Sequence, residues 1–404
     1  MAEDVAAGRL AGAQSLVAAG SARSGIESFM VMDVMRAAAA LEADGRSVIH
    51  MEVGQPATPA PRAARTAAMR AIESGTLGYT MALGIEALRA RIARHYRDRY
   101  GVEVPMERVV VTAGSSAGFV LAFLALFDVG DAVALPSPGY PCYRHILGAL
   151  GQRAVVIETG PENGWMPTAE DVAIAVDRDG AKGLLVASPA NPTGTMLSPE
   201  RLAELVAACK ARGVHFISDE IYHGLAYERA ADTALRHTDE AIVINSFSKY
   251  YSMTGWRIGW MVVPAALVRV VERLAQNFYI SAPAISQVAA LGAFDAMDEL
   301  EANKRIYADN RSLLLEELPK AGFSTFAPPD GAFYLYCDVG DMTNDALAFS
   351  KAMLEETGVA ATPGVDFDAE RGRRFVRFCY AGTTADMAEA ARRLRAWSGP
   401  RRQA

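Results

Sequence analysis

The middle of the chain alternates short apolar runs with turns and amphipathic segments, and this alternation limits the fold more than any other feature. The runs 109–112 and 184–187 are mainly apolar, as expected for strands that are covered on both faces. The segment 199–212 has helical spacing, with Ser198 before it as an N-cap and Gly213 after it. The pattern predicts an α/β fold with a mostly parallel sheet covered by helices.

The two ends of the chain show a different pattern. A helical repeat at 26–41 precedes one strand at 48–53, and a strand at 331–339 precedes a helix at 346–357. We therefore predict that both chain ends together form a smaller α+β domain. The predicted boundaries are an N-terminal arm at 1–25, a large domain at 55–295 and a small domain at 26–54 and 296–404.

The composition is that of an ordinary globular protein, because 51% of the 404 residues are hydrophobic and 22% are charged. The net charge of −7 gives no reason to expect nucleic acid or an anionic membrane as a partner. Apolar runs are shorter than a membrane span, and the first residues lack the basic start of a signal peptide. The four cysteines lie far apart without metal-ligand spacing. We therefore expect reduced thiols, no metal site and a cytoplasmic location.

Polar and small residues follow the predicted strands at the point where each strand ends. In a parallel sheet the carboxyl ends of the strands lie along one edge, which is where α/β proteins bind ligands. Several such strand ends on one edge are a stronger signal than any one of them. The residues concerned are Gly114, Ser115, Ser116, Tyr140, Asn191, Asp219, Tyr222, Ser246, Ser248 and Lys249.

Part of this set suits a phosphate and an aldehyde. The turn 114–116 opens a helix, so its free N–H groups form an anion site. Ser246, Ser248 and Arg257 add hydroxyl and guanidinium donors that suit a phosphate. Lys249 lies among them and supplies an amine that can form an imine with an aldehyde.

The other part suits an aromatic ring. Tyr140 can stack on a ring, and Asn191 and Tyr222 can hydrogen-bond a ring oxygen. Asp219 can pair with a protonated pyridine nitrogen, which makes the ring an electron sink. Each residue of the set therefore has a role if the ligand is a phosphorylated aromatic aldehyde.

Each residue also has an ordinary structural explanation. Asp219 can cap a helix, and Asn191 before Pro192 can form a turn. Tyr140 can belong to an interface, and Lys249 can be a surface lysine between two strands. Taken one at a time, these explanations are at least as good as the functional ones. Their joint occurrence at successive strand ends favours the functional interpretation.

The motifs at these positions resemble those of the class I and II aminotransferases, enzymes of fold type I that depend on pyridoxal 5'-phosphate. The resemblance covers about residues 28–397, and the combination of NPTG, DEIY and SFSK followed by GWRIG is highly specific. The stretches that carry the resemblance are YTMALGIEALR, VTAGSSAG, PSPGYPCY, SPANPTG, SDEIYHGLAY, SFSKYYSMTGWRIGW, DGAFYLY and FVRFCYA.

The resemblance implies a role for each matching residue. Lys249 is implied to bind the cofactor as an imine and to move a proton between Cα and C4′. Asp219 on the pyridine nitrogen and Tyr222 on the phenolic oxygen are the other implied catalytic groups. Tyr79 is implied to reach the cofactor phosphate of the neighbouring subunit, which requires a homodimer with shared active sites. The remaining implied ligands are Gly114, Ser115, Ser116, Ser246, Ser248, Arg257, Tyr140 and Asn191 for the cofactor, and Gly54, Asn191 and Arg377 for the substrate.

Three positions depart from the family pattern. Ser116 stands where the bacterial aspartate-specific branch has a lysine, which weakens the case for a dicarboxylic amino acid as the preferred donor. Tyr140 replaces the tryptophan of that branch, and Asp368 replaces a glycine in a loop near the substrate arginine. Phe29 and Tyr143 favour an apolar or aromatic donor, or a broad range of donors.

The sequence therefore predicts an aminotransferase that moves an amino group between an L-amino acid and a 2-oxo acid. A C–S β-lyase on the same cofactor is an open alternative, because the same lysine chemistry serves both reactions. A cofactor-binding regulatory module is a further alternative. The short N-terminal segment and the acidic charge argue against the DNA-binding part that such modules carry.

Overall fold

The computed structural model of the chain describes residues 20–75 and 77–399. The N-terminal arm predicted for 1–25 therefore lies outside the described residues up to residue 19. Among the described residues, no helix combines the length and the apolar character needed to cross a membrane. The α-helices are α1 Met30–Ala43, α2 Arg62–Glu73, α3 Glu86–Tyr100, α4 Gly114–Leu126, α5 Cys142–Leu150, α6 Ala169–Asp179, α7 Pro199–Arg212, α8 Val268–Phe278, α9 Ala284–Ala293, α10 Met297–Glu317, α11 Ala346–Thr357 and α12 Thr384–Ala396.

The strands of the described residues belong to three sheets. Val109–Thr112, Ile242–Ser246 and Gly259–Val262 are buried along their whole length, which agrees with their mainly apolar sequences. The strands are β1 Ile49–His50, β2 Val109–Thr112, β3 Ala132–Ser137, β4 Arg153–Glu158, β5 Ala181–Ala187, β6 His215–Asp219, β7 Ile242–Ser246, β8 Gly259–Val262, β9 Thr325–Phe326, β10 Tyr334–Asp338, β11 Val359–Ala360, β12 Thr362–Pro363 and β13 Phe375–Cys379.

The largest sheet has seven strands in the order β2-β8-β7-β6-β5-β3-β4. Strand β8 runs antiparallel to both of its neighbours, and the other strands run parallel to one another. The carboxyl ends of β2, β5, β6 and β7 therefore lie along one edge of the sheet. The prediction of a mostly parallel sheet covered by helices is confirmed.

The chain ends meet in the smaller sheets. Strands β9, β10, β12 and β13 form an antiparallel sheet, and β1 pairs in parallel with β11, so that Ile49 lies opposite Val359. This pairing joins segments that are some three hundred residues apart, as the α+β pattern of the two ends predicts. The domain boundaries at 54 and 296 stay predictions.

Local signals in the sequence identified some element ends and missed others. The Ser198 hydroxyl accepts a hydrogen bond from the Arg201 N–H at 3.3 Å, and Gly213 has φ +66°, so α7 begins and ends as predicted. Helix α4 begins at Gly114, so the predicted turn 114–116 is the first turn of the helix itself. Helices α5, α6 and α8 were not predicted.

The first helix begins at Met30 and not at Ile26 as predicted. Its start depends on a distant residue, because the Asp366 carboxylate accepts a hydrogen bond from the Met30 N–H at 3.2 Å. A cap that comes from the other end of the chain leaves no local sequence signal. The strand predicted for 48–53 is also shorter, since only Ile49–His50 is paired.

Asp368 connects the loop before β13 to the end of β3. Its carboxylate accepts hydrogen bonds from Ser137 Oγ at 2.9 Å and from Arg371 Nε at 2.8 Å. Arg371 in turn donates to the backbone oxygens of Ser137 and Thr159, which lie at the ends of β3 and β4. Asp368 is 6% exposed, so its carboxylate is shielded from water, and its hydrogen bonds hold the loop before β13.

We expect Asp368→Asn to destabilise the protein by about 1.5–3 kcal/mol, because a hydrogen bond to a charged partner is replaced by a neutral one. Urea unfolding of the variant should show a lower midpoint with an unchanged slope. Asp309→Asn, on the exposed face of α10, is the matched control and should change stability by less than about 0.5 kcal/mol. Equal midpoints for the two variants would contradict the role assigned to Asp368.

Candidate active site

Most of the predicted site residues surround one cleft at the carboxyl edge of the large sheet. Phe29, Val31, Met32, Val53, Phe119 and Ile221 give the cleft an apolar part, and Tyr143, Thr254 and Tyr334 add polar atoms to its wall. The predicted residues that line it are Gly54, Ser115, Ser116, Tyr140, Asn191, Asp219, Tyr222, Ser248, Lys249, Arg257 and Arg377.

Asp219 lies at the end of β6 and is 3% exposed. The Tyr143 hydroxyl donates a hydrogen bond to its carboxylate, and the Ile221 N–H donates another at 3.0 Å. Burial raises the pKa of Asp219 to about 6, although these two hydrogen bonds and the charge of Lys249 lower it. Among the described residues, no lysine or arginine forms an ion pair with Asp219. The carboxylate can therefore pair with a cation that a ligand brings.

Lys249 follows β7 and places its amine in the same cleft. Its Nζ donates a hydrogen bond to the backbone oxygen of Gly54 at 2.5 Å. Burial lowers the pKa of Lys249 to about 8, and the charges of Arg377 and Arg257 lower it further. A lysine with this pKa carries a much larger neutral fraction near pH 7 than a surface lysine does, and the neutral amine is the nucleophile.

The first turn of α4 and Arg257 form the cationic end of the cleft. Ser115 and Ser116 lie in that turn, where backbone N–H groups have no partner within the helix. Arg257 is held in the left-handed region at φ +49°, and its Nη1 donates to the Thr254 oxygen at 3.0 Å. A Cβ atom on Gly114 would lie 2.5 Å from Arg257 Nη2. Glycine at this position therefore lets the guanidinium approach the helix start.

Ser246 does not line the cleft. Its hydroxyl lies 2.8 Å from Ser248 Oγ and 3.1 Å from the Ile258 oxygen, and the residue is 1% exposed. Ser246 therefore supports Ser248 from behind. A direct contact between Ser246 and a phosphate stays a prediction.

Arg377 lies on β13 at the other end of the cleft and is 2% exposed. Its Nη1 donates to Asn191 Oδ1 at 2.9 Å, and its Nη2 donates to the Glu52 oxygen. The guanidinium lies over the ring of Tyr334, with its carbon 4.3 Å from the centroid. Its Nε is buried and has no hydrogen-bond partner among the described residues. An anionic ligand in the cleft would supply that partner.

The sequence interpretation missed the roles of two tyrosines. Tyr334 Oη lies 2.7 Å from Tyr222 Oη, and a Cβ on Gly54 would lie 1.8 Å from Tyr334 Oη. Gly54 is thus required for Tyr334 to stand between Tyr222 and Arg377. Tyr143 was considered only as a substrate contact, whereas its hydroxyl holds Asp219. Both tyrosines lie within motifs that were recognised, DGAFYLY and PSPGYPCY.

Tyr140 lies in the cleft of its own chain, whereas Tyr79 does not. Tyr140 lines the cleft and packs edge-on against Phe29 and Tyr143, with ring centroids 5.8 and 5.2 Å apart. Tyr79 is 84% exposed and lies outside the cleft. Within its own chain, Tyr79 therefore has no contact with the site, and its predicted role depends on a second subunit.

The cleft fits pyridoxal 5'-phosphate by the chemistry of its donor set. An anion site at the start of α4 lies at one end, and a buried carboxylate without an ion-pair partner is present for a protonated ring nitrogen. Lys249 supplies an amine with a lowered pKa. Arg377, with its unpartnered Nε, remains for a substrate carboxylate.

We expect Lys249 in the cofactor-free protein to be methylated by formaldehyde and borohydride with a half-maximal rate near pH 8, because its amine loses its proton near that pH. Mass spectrometry of the peptides measures the extent at each pH. Lys210, which is exposed on α7, provides the reference curve. The same pH dependence for both amines would contradict the effect of burial on Lys249.

Comparison with known proteins identifies the family. The family model for aminotransferase class I and II matches residues 46–394. A valine–pyruvate aminotransferase from Mycobacterium tuberculosis is 50% identical over 379 residues, covering 93% of this chain and 97% of the relative. An aspartate aminotransferase from Sulfurisphaera tokodaii is 31% identical, with coverage of 92% and 94%.

The fold comparison agrees with the sequence comparison. The crystal structure of an aminotransferase from Mycobacterium tuberculosis has a TM-score of 0.91 and 49% identity, and the match covers 93% of this chain and 98% of that one. Neither a C–S lyase nor a regulatory module is favoured by these relatives. The chain belongs to the class I and II aminotransferases, which use pyridoxal 5'-phosphate to transfer amino groups.

Proposed function

We propose that this aminotransferase transfers the amino group of a neutral aliphatic amino acid, such as valine, to a small 2-oxo acid such as pyruvate. The proposal rests on the cations of the cleft. Lys249, Arg257 and Arg377 are the only lysines and arginines among the described lining residues, and the first two face the cofactor. One cation therefore remains to bind substrate, which suits one carboxylate and not two.

The side of the cleft next to Arg377 supports the same choice of substrate. Phe29, Val31 and Met32 come from the start of α1, and Val53 precedes Gly54. A branched aliphatic side chain gains free energy when it is buried against such residues, whereas a second carboxylate would lose its hydration without a partner. The relative with 50% identity is a valine–pyruvate aminotransferase, which adds independent support.

The roles of the residues follow from their positions. Bound pyridoxal phosphate supplies an aldehyde for the amino group and an electron-withdrawing ring. In the proposal, Asp219 keeps the ring nitrogen protonated, and Tyr143 orients Asp219. Tyr222, placed by its hydrogen bond with Tyr334, would donate a hydrogen bond to the phenolic oxygen. With the cofactor bound, Lys249 Nζ would move a proton between the substrate Cα and the cofactor C4′.

The substrate carboxylate is held by Arg377 in the proposal. Asn191, the Glu52 oxygen and Thr362 accept three of the four Nη hydrogens, which leaves Nε and one Nη1 hydrogen for the ligand. Two parallel N–H donors match the two oxygens of a carboxylate, a geometry that a lysine does not provide. The backbone of Gly54 leaves space for the carboxylate beside Tyr334.

The proposed assembly is a homodimer in which each subunit completes the other's site. An exposed apolar surface supports it, formed by Met69 and Ile72 on α2, Tyr79 and Met81 in the next loop, and Phe278 at the end of α8. These side chains are between 55% and 84% exposed in the single chain. A surface of this kind usually marks an interface. Thr80, beside Tyr79, is held by hydrogen bonds to Ser281 and Gln287, so this part of the loop is fixed within the single chain.

We expect a half-reaction screen to show valine and alanine converting the enzyme to its pyridoxamine form faster than aspartate and glutamate by about tenfold or more. The reason is the buried carboxylate that a dicarboxylic donor would leave without a partner, a penalty of at least about 1.4 kcal/mol. Stopped-flow absorbance of the cofactor measures each rate. Faster conversion by aspartate than by valine would refute the substrate proposal, although not the aminotransferase activity.

Arg377→Ala is expected to raise the KM for the amino donor by about thirtyfold or more, since loss of one partner of a buried charge pair costs about 2–5 kcal/mol. Arg374→Ala is the control, because Arg374 lies just before β13 but is paired with Asp338 at the surface. It should leave KM unchanged. The cofactor absorbance shows whether each variant folds and binds the cofactor. An unchanged KM in a folded Arg377→Ala enzyme would mean that another group binds the carboxylate.

Mixing two inactive variants tests the shared site. Lys249→Ala and Tyr79→Ala homodimers are each expected to have little activity, and subunit exchange produces a hybrid with one intact site. That site combines Lys249 of one chain with Tyr79 of the other, so activity should reappear up to about a quarter of wild type for random exchange, since half of the dimers are then hybrids with one intact site of two. No recovery after exchange, confirmed by mass spectrometry of the hybrid, would show that Tyr79 acts within its own chain.

A further inference from the structure

A second cleft borders the segment that carries Lys249. Its volume is about 530 Å³, and it shares no lining residue with the candidate active site. Asn245, Tyr250 and Tyr251 form part of its wall, on either side of Ser246–Lys249 in the sequence. The floor is buried, whereas Arg99 and Asp98 at the mouth are exposed. A small molecule from solution can therefore enter it.

Three basic residues of α3 line this cleft. Arg91, His95 and Arg99 follow one another at intervals of four residues, which places them on one face of the helix. Among the described residues, none of the three forms an ion pair. The Arg91 guanidinium carbon lies 4.3 Å from the centroid of the Phe294 ring, and its Nη1 is buried without a hydrogen-bond partner. The helix thus directs unpaired positive charge into the cleft.

The carboxylates near the cleft do not cancel this charge. Asp98 is the only carboxylate among the lining residues, and it lies 3.7 Å from Arg97. Glu220 lies behind His223, at 3.5 Å, and burial raises the pKa of Glu220 to about 8, so that it is largely neutral near pH 7. Burial, together with the charges of Arg99 and Arg91, lowers the pKa of His95 to about 4. Two arginines and one carboxylate therefore give the lining residues a net positive charge, and Glu301 lies outside the lining, where it accepts a hydrogen bond from the Tyr250 hydroxyl.

The floor of the cleft contributes a free donor. Asn245 is 4% exposed, and its Oδ1 accepts a hydrogen bond from the Ser246 N–H at 2.7 Å. Because Oδ1 accepts this bond, the Nδ2 group is left as a hydrogen-bond donor. No described residue accepts a hydrogen bond from it. The Asn245 amide nitrogen and the buried Arg91 Nη1 both lack a hydrogen-bond partner among the described residues, so a ligand oxygen can bind there.

We propose that this cleft is a binding site for a small molecule that carries a phosphate group. Arg91 and Arg99 offer forked N–H donors, which suit the tetrahedral oxygens of a phosphate better than point charges do. Asn245 adds a neutral donor, and the buried rings of Tyr250, Tyr251 and Trp260 provide a wall for the rest of the ligand. The proposal does not depend on the substrate of the transamination reaction.

Titration calorimetry of the holoenzyme tests this site, because the bound cofactor fills the phosphate site of the catalytic cleft. The probes are inorganic phosphate and glycerol 3-phosphate, with glycerol as the uncharged control, all at constant ionic strength. We expect saturable binding of at least one phosphate compound with a dissociation constant on the order of 1 mM or lower, as a few charge-assisted contacts would give. Glycerol should not bind.

Variants on α3 test whether the heat measured by calorimetry comes from binding in this cleft. Arg91→Gln/Arg99→Gln should weaken phosphate binding by about tenfold or more, and Arg99→Gln alone should weaken it in the same direction. Arg94→Gln is the matched control, since Arg94 is exposed on the same helix and does not line the cleft. Equal binding by wild type and the double variant, or no saturable binding of either phosphate compound, would overturn the proposal.

Discussion

The buried carboxylate of Asp219 is the constraint on which the site depends. It stands at the end of β6 at 3% exposure, and burial raises its pKa to about 6. A carboxylate in such a place is costly unless a cation pairs with it. In the proposed site, the protonated ring nitrogen of pyridoxal phosphate would be such a cation, and the hydrogen bond from Tyr143 orients the carboxylate. The protein thus holds a buried carboxylate that a cationic ligand would stabilise.

Two glycines let large side chains come close enough to complete the site. Gly114 makes room for Arg257 at the start of α4, and Gly54 makes room for Tyr334 next to Arg377. In both places an added Cβ atom would overlap the neighbouring side chain, which packed protein interiors do not allow. The end of the cleft at Arg257 and the end at Arg377 therefore each depend on the small size of a glycine as well as on the large side chains.

The sequence predicted the large sheet well because buried parallel strands are continuous apolar runs. The polar residues at the strand ends then predicted, from the sequence alone, that Asp219, Asn191 and Lys249 lie together at one edge of the sheet. The Tyr143–Asp219 bond was missed because it joins residues 76 positions apart. The start of α1 was misplaced for a similar reason, since its cap, Asp366, is 336 positions away. Contacts across the fold leave no periodic signal along the chain.

The central claim is that Lys249 is the residue that holds the cofactor. Reduction of the yellow holoenzyme with borohydride, followed by digestion and mass spectrometry, shows which amine carries the pyridoxyl group. The account predicts this group on the peptide that contains Lys249 and on no other lysine. A pyridoxyl group on a different residue, or none on a holoenzyme that retains its absorbance, would contradict it.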